Sequence, residues 1–508
     1  MAFHTVLSAS IQGLHVEMVH VEADVSNGLP MFHMVGYLSA EVKEASERVR
    51  TAIRNAGIQI PARKVVVNLA PATVRKKGAS FDLPIALAVM AALGEIEGEE
   101  LERTLVIGEL GLDGRVQEVP GILPIVLEAR RAGCRTCILP IRNAPEGALV
   151  EGIRILGVRH LKEACDYLNG EVALKEEVRQ DGKMEGGREE LSVDFGDIQG
   201  QEAVKRAAEV AAAGGHNLLM VGPPGSGKSM LAKRIPTILP SPTPEESIEI
   251  TKIYSVLGMV DRERPLITGR PVRSVHHTVT KAALIGGGLV PVPGEISLAH
   301  EGVLFLAEFQ KNVLEVLRQP LEEKQIRIAR SHGSYVFPAN FILVAAMNPC
   351  PCGNYPNLEK CTCTPGQIRH YLGRISQPFL DRMDLCIETP RIKYEALSVR
   401  KPQESSKEVR KRVVKTRNIQ NMRYAETGIT SNALLGVREL EKYCQLGDNE
   451  ERLMKRAYLA MGLTARTYHK ILRVARTIAD MEESERIREH HLKEAISYRT
   501  IDKKYWGR

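Results

Sequence analysis

The stretch Gly222-Pro223-Pro224-Gly225-Ser226-Gly227-Lys228-Ser229 satisfies the pattern G-x-x-x-x-G-K-[ST] at every required position. Before it, Asn217-Leu218-Leu219-Met220-Val221 reads as a short buried strand, and after it Met230 to Ile235 reads as the first turns of a helix. This is the strand, loop, helix setting the pattern needs. The glycines let successive backbone N–H groups face one hollow that holds phosphate oxygens. Lys228 brings an ammonium to the β and γ phosphates of a nucleotide, and Ser229 a hydroxyl to a magnesium ion. Nucleotide binding in an α/β fold, with Gly222, Pro223, Pro224, Gly225, Ser226, Gly227, Lys228 and Ser229 as the contact set, is the first expectation.

A chain of 508 residues has room for several domains with their own cores. Its 44% apolar and 26% charged content is that of an ordinary globular protein. No apolar run approaches the roughly 18 residues of a membrane span, and the start Met-Ala-Phe-His-Thr lacks the layout of a signal peptide. A cytoplasmic location without a membrane partner is expected. The net charge of +7 is uneven: from Arg391 to Arg508 there are 27 Lys plus Arg against 16 Asp plus Glu. That surplus suits either a polyanion or a solvated helical surface.

Residues 1–170 alternate strand-like and helix-like stretches, with β-type alternation over Ile11 to Val25, helical spacing over Ala40 to Ala56 and Leu83 to Leu93, and a strand at Lys64 to Leu69. Lys77-Gly78-Ala79-Ser80-Phe81-Asp82, followed by Gly108 to Val116, resembles the proteolytic domain of Lon-type proteases, a ribosomal S5 domain 2-like fold. Ser80 falls on that family's nucleophile. Leu123 stands where its activating lysine belongs, so the resemblance implies the fold without the proteolysis. Cys134 and Cys137 lead into a strand and read as structural. Residues 171–191, charged and glycine-bearing, read as a linker.

In residues 192–393, Ile198-Gln199-Gly200-Gln201 resembles the segment that closes over adenine in AAA+ ATPases, and Gly302 to Leu306 and Phe341 to Asn348 read as further core strands. By that resemblance Asn348 orients the attacking water, and Arg382, in Phe379-Leu380-Asp381-Arg382-Met383-Asp384, is an arginine finger for a neighbouring subunit. Arg270 to His277, Ile285 to Gly288, Pro293 to His300 and Val316 to Glu322 are similar to the magnesium-chelatase-like AAA+ proteins of the ComM/YifB type over essentially the whole chain. The resemblance implies a hexameric ATPase using ATP and Mg2+, and members of this family are associated with DNA branch migration. It also implies that Arg466 is the second-sensor arginine, a contact to the γ phosphate of its own subunit, within a C-terminal helical lid at 394–508. His276 and His277 read as polar-network residues.

One segment departs from the family. Where an acidic pair ends the strand, this chain has Leu306-Ala307-Glu308-Phe309. Without a gap, Ala307 replaces the aspartate and Glu308 keeps the base. With three residues missing both are lost, and this register is favoured because Phe309 and the helix after it stay aligned. The leading expectation is an ATP-binding motor acting on DNA with helicase-like remodelling. A hydrolysis-deficient oligomeric scaffold is the alternative, and a chelatase subunit a third that rests only on the shared core. Cys350, Cys352, Cys361 and Cys363 form a C-x-C, C-x-C set that suits either a structural zinc ion or four reduced thiols. The helical spacing from Glu404 to Arg423 and from Arg452 to Met481 suits the lid.

Overall fold

The computed structural model describes residues 2–179, 193–276, 278–308, 311–330, 333–392 and 403–507. Most of the linker, His277, Phe309 and the start of the lid segment lie outside the described residues.

The N-terminal part is built on a seven-stranded mixed sheet, in the order Met31–Val35, Lys64–Ala70, His15–Ser26, Ala2–Gln12, Thr104–Val106, Thr136–Pro140, Arg154–Val158. The alternation read over Ile11 to Val25 belongs to a long hairpin: Ala2–Gln12 pairs antiparallel with His15–Ser26 around a turn at Gly13. Helix Asp82–Leu93 is apolar on every side and is buried on every side but its last residue, lying between the sheet and helix Ala45–Asn55. A helix hydrophobic all round needs cover all round. Glu176 bridges to Leu156, so the first residues of the expected linker run back along the last strand.

The phosphate-loop strand Leu218–Val221 lies in a second, wholly parallel sheet, ordered Val272–Val275, Val303–Ala307, Ile342–Met347, Leu218–Val221, Leu385–Glu388. Its three inner strands are almost continuously apolar because helices cover both faces, whereas the edge strand Val272–Val275 carries Arg273 and Ser274. Their C-terminal ends open on one side, where parallel sheets place ligands.

Helices Ser406–Arg423, Asp448–Met461, Ala465–Met481 and Glu489–Ser497 pack on one flank of this core. The spacing read as continuous from Arg452 to Met481 is broken at Gly462, a left-handed C-cap. Among the described residues no helix is long and apolar enough to cross a membrane. Part of the basic character of the lid is taken up by partners within the chain. In helix Ser406–Arg423 the side chains of Arg410, Arg412, Lys415, Arg417 and Arg423 all turn to protein partners, among them Thr237 O, Glu209, Glu483, Ala212 O and Asp480.

The contacts that tie the N-terminal part to the core include an ion pair of Arg262 with Glu118 and a hydrogen-bonded knot at Ser255. Ser255 donates to the buried carboxylate of Glu146 at 2.5 Å, which also accepts from Leu123 N, while Gly121 N donates to Ser255 O. Leu123 is fully buried, so this position gives Ser80 no amine. Burial raises the thiols of both Cys134 and Cys137, as structural cysteines require.

Candidate functional site: the nucleotide cleft

The loop after Leu218–Val221 turns into helix Lys228–Ile238 through Gly225 and Gly227, both at positive φ. Gly222 is required for a second reason: a Cβ there would lie 2.1 Å from Thr389 Oγ1 and 2.2 Å from Thr389 O, on the neighbouring strand's end. Gln201, from the segment expected over adenine, donates to Ser226 O at 2.6 Å and to Pro390 O at 3.3 Å. It therefore braces the loop from outside.

The loop forms one wall of a cavity of about 790 Å³, with Ser274, Val275 and His276 across from it and Ala307, Glu308, Ala346 and Asn348 on its floor. Within it, Lys228 Nζ donates to Gly222 O at 2.7 Å, Pro223 O at 2.8 Å and Asn348 Oδ1 at 3.2 Å. Asn348 Nδ2 donates in turn to Glu308 Oε1 at 3.3 Å. Burial, partly offset by the charge of Glu308, lowers the Lys228 ammonium to about 8. The lysine sits folded over backbone carbonyls and, among the described residues, forms no ion pair with a carboxylate.

Ala307 pairs with Ala346 in the ladder, and Glu308 follows at once, its N–H on Ala346 O at 3.2 Å and its backbone at φ 50°. Strand, Ala307 and Glu308 thus run without interruption to the cleft floor, with Glu308 beside Asn348. Glu308 therefore lines the cleft whichever of the two registers relates the following segment to the family, and Phe309, on which the gapped register rests, lies outside the described residues. Side-chain position in a parallel sheet is set by the ladder, which an alignment of the segment after the strand does not sense. The expected aspartate oxygen is absent at Ala307. Of the groups expected to hold magnesium, Ser229, exposed at the loop's end, remains.

The two arginines do not join this cleft. Arg382 has a side chain only 9% exposed. It donates to Glu322 Oε1 at 2.6 Å, to Arg318 O at 3.2 Å and to Pro378 O at 2.5 Å. Arg466, 63% exposed, lies 3.7 Å from the same Glu322 oxygen. Arg466, expected as the second sensor within one subunit, is thus placed beside Glu322 and not among the residues lining the cleft. Helix Ala465–Met481 points its first turn at Glu322, because Lys470 anchors it to Asp384 and to Arg382 O at 3.0 Å. Burial alone would raise Asp384, but the Lys470 and His216 charges and the Asn217 N–H hold it down to about 2. Asn217, at the entry to the phosphate-loop strand, joins this knot through Asp384 Oδ2 at 2.8 Å and Leu343 N at 2.9 Å.

Sequence reading missed Glu322, Ser274 and Val275 as site residues. The signal for the last two was available: a parallel strand ending beside the nucleotide strand's neighbours contributes its C-terminal residues to the cleft. His276, read as a polar-network residue, also lines the cleft, and its Nδ1 shares a hydrogen bond with Thr278 at 2.8 Å.

Fold and cleft together define a P-loop core of the AAA+ class. Family models match along the chain: "Subunit ChlI of Mg-chelatase" over residues 21–143, "Magnesium chelatase, subunit ChlI" over 194–397 and its C-terminal part over 403–499. The uncharacterized protein YifB of Salmonella typhimurium is 42% identical over 97% of this chain and 96% of its own length. The competence protein ComM of Haemophilus influenzae is 41% identical over 99% and 98%. A Lon protease of Mycolicibacterium smegmatis matches 31% of the chain at 27% identity, covering 21% of that protease. The chain belongs to the magnesium-chelatase-like family that includes YifB and ComM.

Proposed function

We propose that this protein is an ATP-hydrolysing motor that works on DNA as a homo-hexamer. The observation that carries the hydrolysis is the continuous chain from Lys228 through Asn348 to Glu308 in one cleft. In the proposed reaction Lys228 and the loop amides hold the β and γ phosphates, while Asn348 orients a water in line with the β–γ bridge. Glu308 accepts a proton from that water as its oxygen bonds to the γ phosphorus, and ADP leaves with the bridging oxygen's electrons. Magnesium bound with the nucleotide would supply charge neutralisation at the β and γ oxygens, with Ser229 as the protein's own oxygen toward it. Arg382 and Arg466, gathered away from their own cleft, would complete the site of a neighbouring subunit.

The DNA reading is supported by full-length likeness to a protein named for competence. The charge surplus of the lid adds little to it, because most of the arginines of helix Ser406–Arg423 are used internally. The second reading, a scaffold that binds ATP without turning it over, is favoured by Ala307, which removes a carboxylate from the metal's surroundings. Turnover measured with and without branched DNA, beside Lys228→Ala, separates them. DNA-stimulated hydrolysis that vanishes in the variant is expected, and tight ATP binding with no turnover above the variant would establish the scaffold instead. The four cysteines are proposed to hold a structural zinc ion.

A further inference from the structure

We propose that Cys350, Cys352, Cys361 and Cys363 hold a single tetrahedral zinc ion that clamps the phosphate loop, through Gly353 against Pro224, so that metal occupancy sets nucleotide affinity. The coupling rests on the reading of the cleft as a nucleotide site.

The sulfurs are already gathered. Cys350 lies 3.4 Å from Cys352 and 3.8 Å from Cys361, Cys352 lies 3.6 Å from Cys361, and all four fall within 4.8 Å of one another. A zinc ion with thiolates at about 2.3 Å needs sulfur–sulfur edges of about 3.8 Å. A cluster of several irons would hold its cysteines farther apart, so this spacing selects one ion. Four thiolates fill a tetrahedron and leave no open position, so the ion would be structural. Tyr355 N donates to Cys350 Sγ at 3.4 Å, the kind of outer hydrogen bond that settles a ligating thiolate. Cys350 itself is fully buried under the core sheet.

The position of the loop is what gives the ion a consequence. Cys350 follows Asn348, the partner of Lys228, by two residues. Gly353, at φ +77°, lies so close to the phosphate loop that a Cβ would sit 2.2 Å from Pro224 Cδ. On its other side Tyr355 packs edge-on against Tyr505 with ring centres 6.0 Å apart, and Arg391 donates to Asn354 Oδ1 at 3.1 Å. The cysteine loop is thus a wedge between the phosphate loop and the C-terminal helix Thr500–Trp506. Without the ion, its turn between Cys352 and Cys361 depends on a few backbone hydrogen bonds, such as Cys361 N to Asn357 O. A phosphate loop that loses its backing spends less time in the binding shape, and its apparent affinity falls by the same fraction.

The test uses the full chain. Elemental analysis should find one zinc per chain, and cobalt substitution should give the absorption of a tetrahedral tetrathiolate. Removing zinc with a chelator should weaken binding of a fluorescent ATP analogue by about tenfold or more, reversed by added zinc. Gly353→Val should keep the zinc and still lose affinity, which separates the clamp from general unfolding. Less than half an equivalent of zinc in protein that binds nucleotide fully would overturn the metal site. Unchanged affinity after zinc removal, or in Gly353→Val, would overturn the clamp. Zinc-loaded protein that binds no nucleotide would overturn the reading of the cleft and the coupling with it, while the metal site would stand on its stoichiometry.

Discussion

The cleft at Lys228 and the cluster at Glu322 are, on the proposed function, two halves of one chemistry, and the single chain brings only the first together in the cleft. Asn348 and Glu308 directly follow two neighbouring strands of one parallel sheet, and Lys228 opens the helix that the phosphate loop joins to the next strand, so the sheet sets where the three meet. Arg382 and Arg466 come from a segment and a helix knotted together by Lys470 and Asp384, and they converge on a carboxylate outside the cleft. The difference teaches that one sheet gathers the cleft residues within the folded chain, whereas on the proposed function the two arginines act only in an assembly. In the single chain both arginines lie against Glu322, the part that the proposed hexamer gives to a neighbour's γ phosphate.

The comparison can be broken most directly at Arg382. Arg382→Ala should cut ATP turnover by about 10³ or more, the scale of an arginine finger, with little change in nucleotide affinity. Because Arg382 is buried, the decisive measurement is mixing: Arg382→Ala subunits combined with Lys228→Ala subunits should regain activity that neither has alone. No recovery would make Arg382 a structural residue. Next in size, Glu308→Gln should lower kcat by about 10² to 10⁴ with KM nearly unchanged. An unaffected kcat would show that Glu308 is not the base and would favour the gapped register.

A pH profile sharpens the first half. Nucleotide phosphates favour the charged form of Lys228, whose value in the free protein is lowered to about 8. Below that pH the lysine already carries its proton and affinity should be level; above it, affinity should fall by up to about tenfold per pH unit. Lys228→Arg should flatten the profile, and a wild-type profile level to pH 9.5 would contradict the assignment. The smallest effect is expected at Glu322. Its ion pairs are half-exposed, so Glu322→Gln should raise turnover by no more than about fivefold by freeing the arginines, and a large loss instead would make Glu322 part of the catalytic machinery.

Local order along the chain made the phosphate loop legible, because backbone amides, Lys228 and Ser229 lie within eight consecutive residues and need no distant partner. The same holds for the four cysteines, whose spacing alone suggested a shared ligand. Register was harder. The segment Leu306 to Phe309 admits two alignments, and only the pairing of Ala307 with Ala346 puts Glu308 on the cleft floor. Charge was harder still: the surplus in the lid looked available to a polyanion, yet Arg410, Arg412, Arg417 and Arg423 are spent on carbonyls and carboxylates of the same chain.

By itself, then, the sequence determined the phosphate-binding loop, the α/β core with a helical lid, the family, and the cysteine set, since each is carried by short-range spacing. The tertiary structure alone decided that Glu308 reaches the cleft, that Arg466 does not, and that the cysteine loop bears on Pro224. Those three depend on strand register, on a buried ion pair far away in the chain, and on close contact between two loops about 130 residues apart, none of which local spacing encodes.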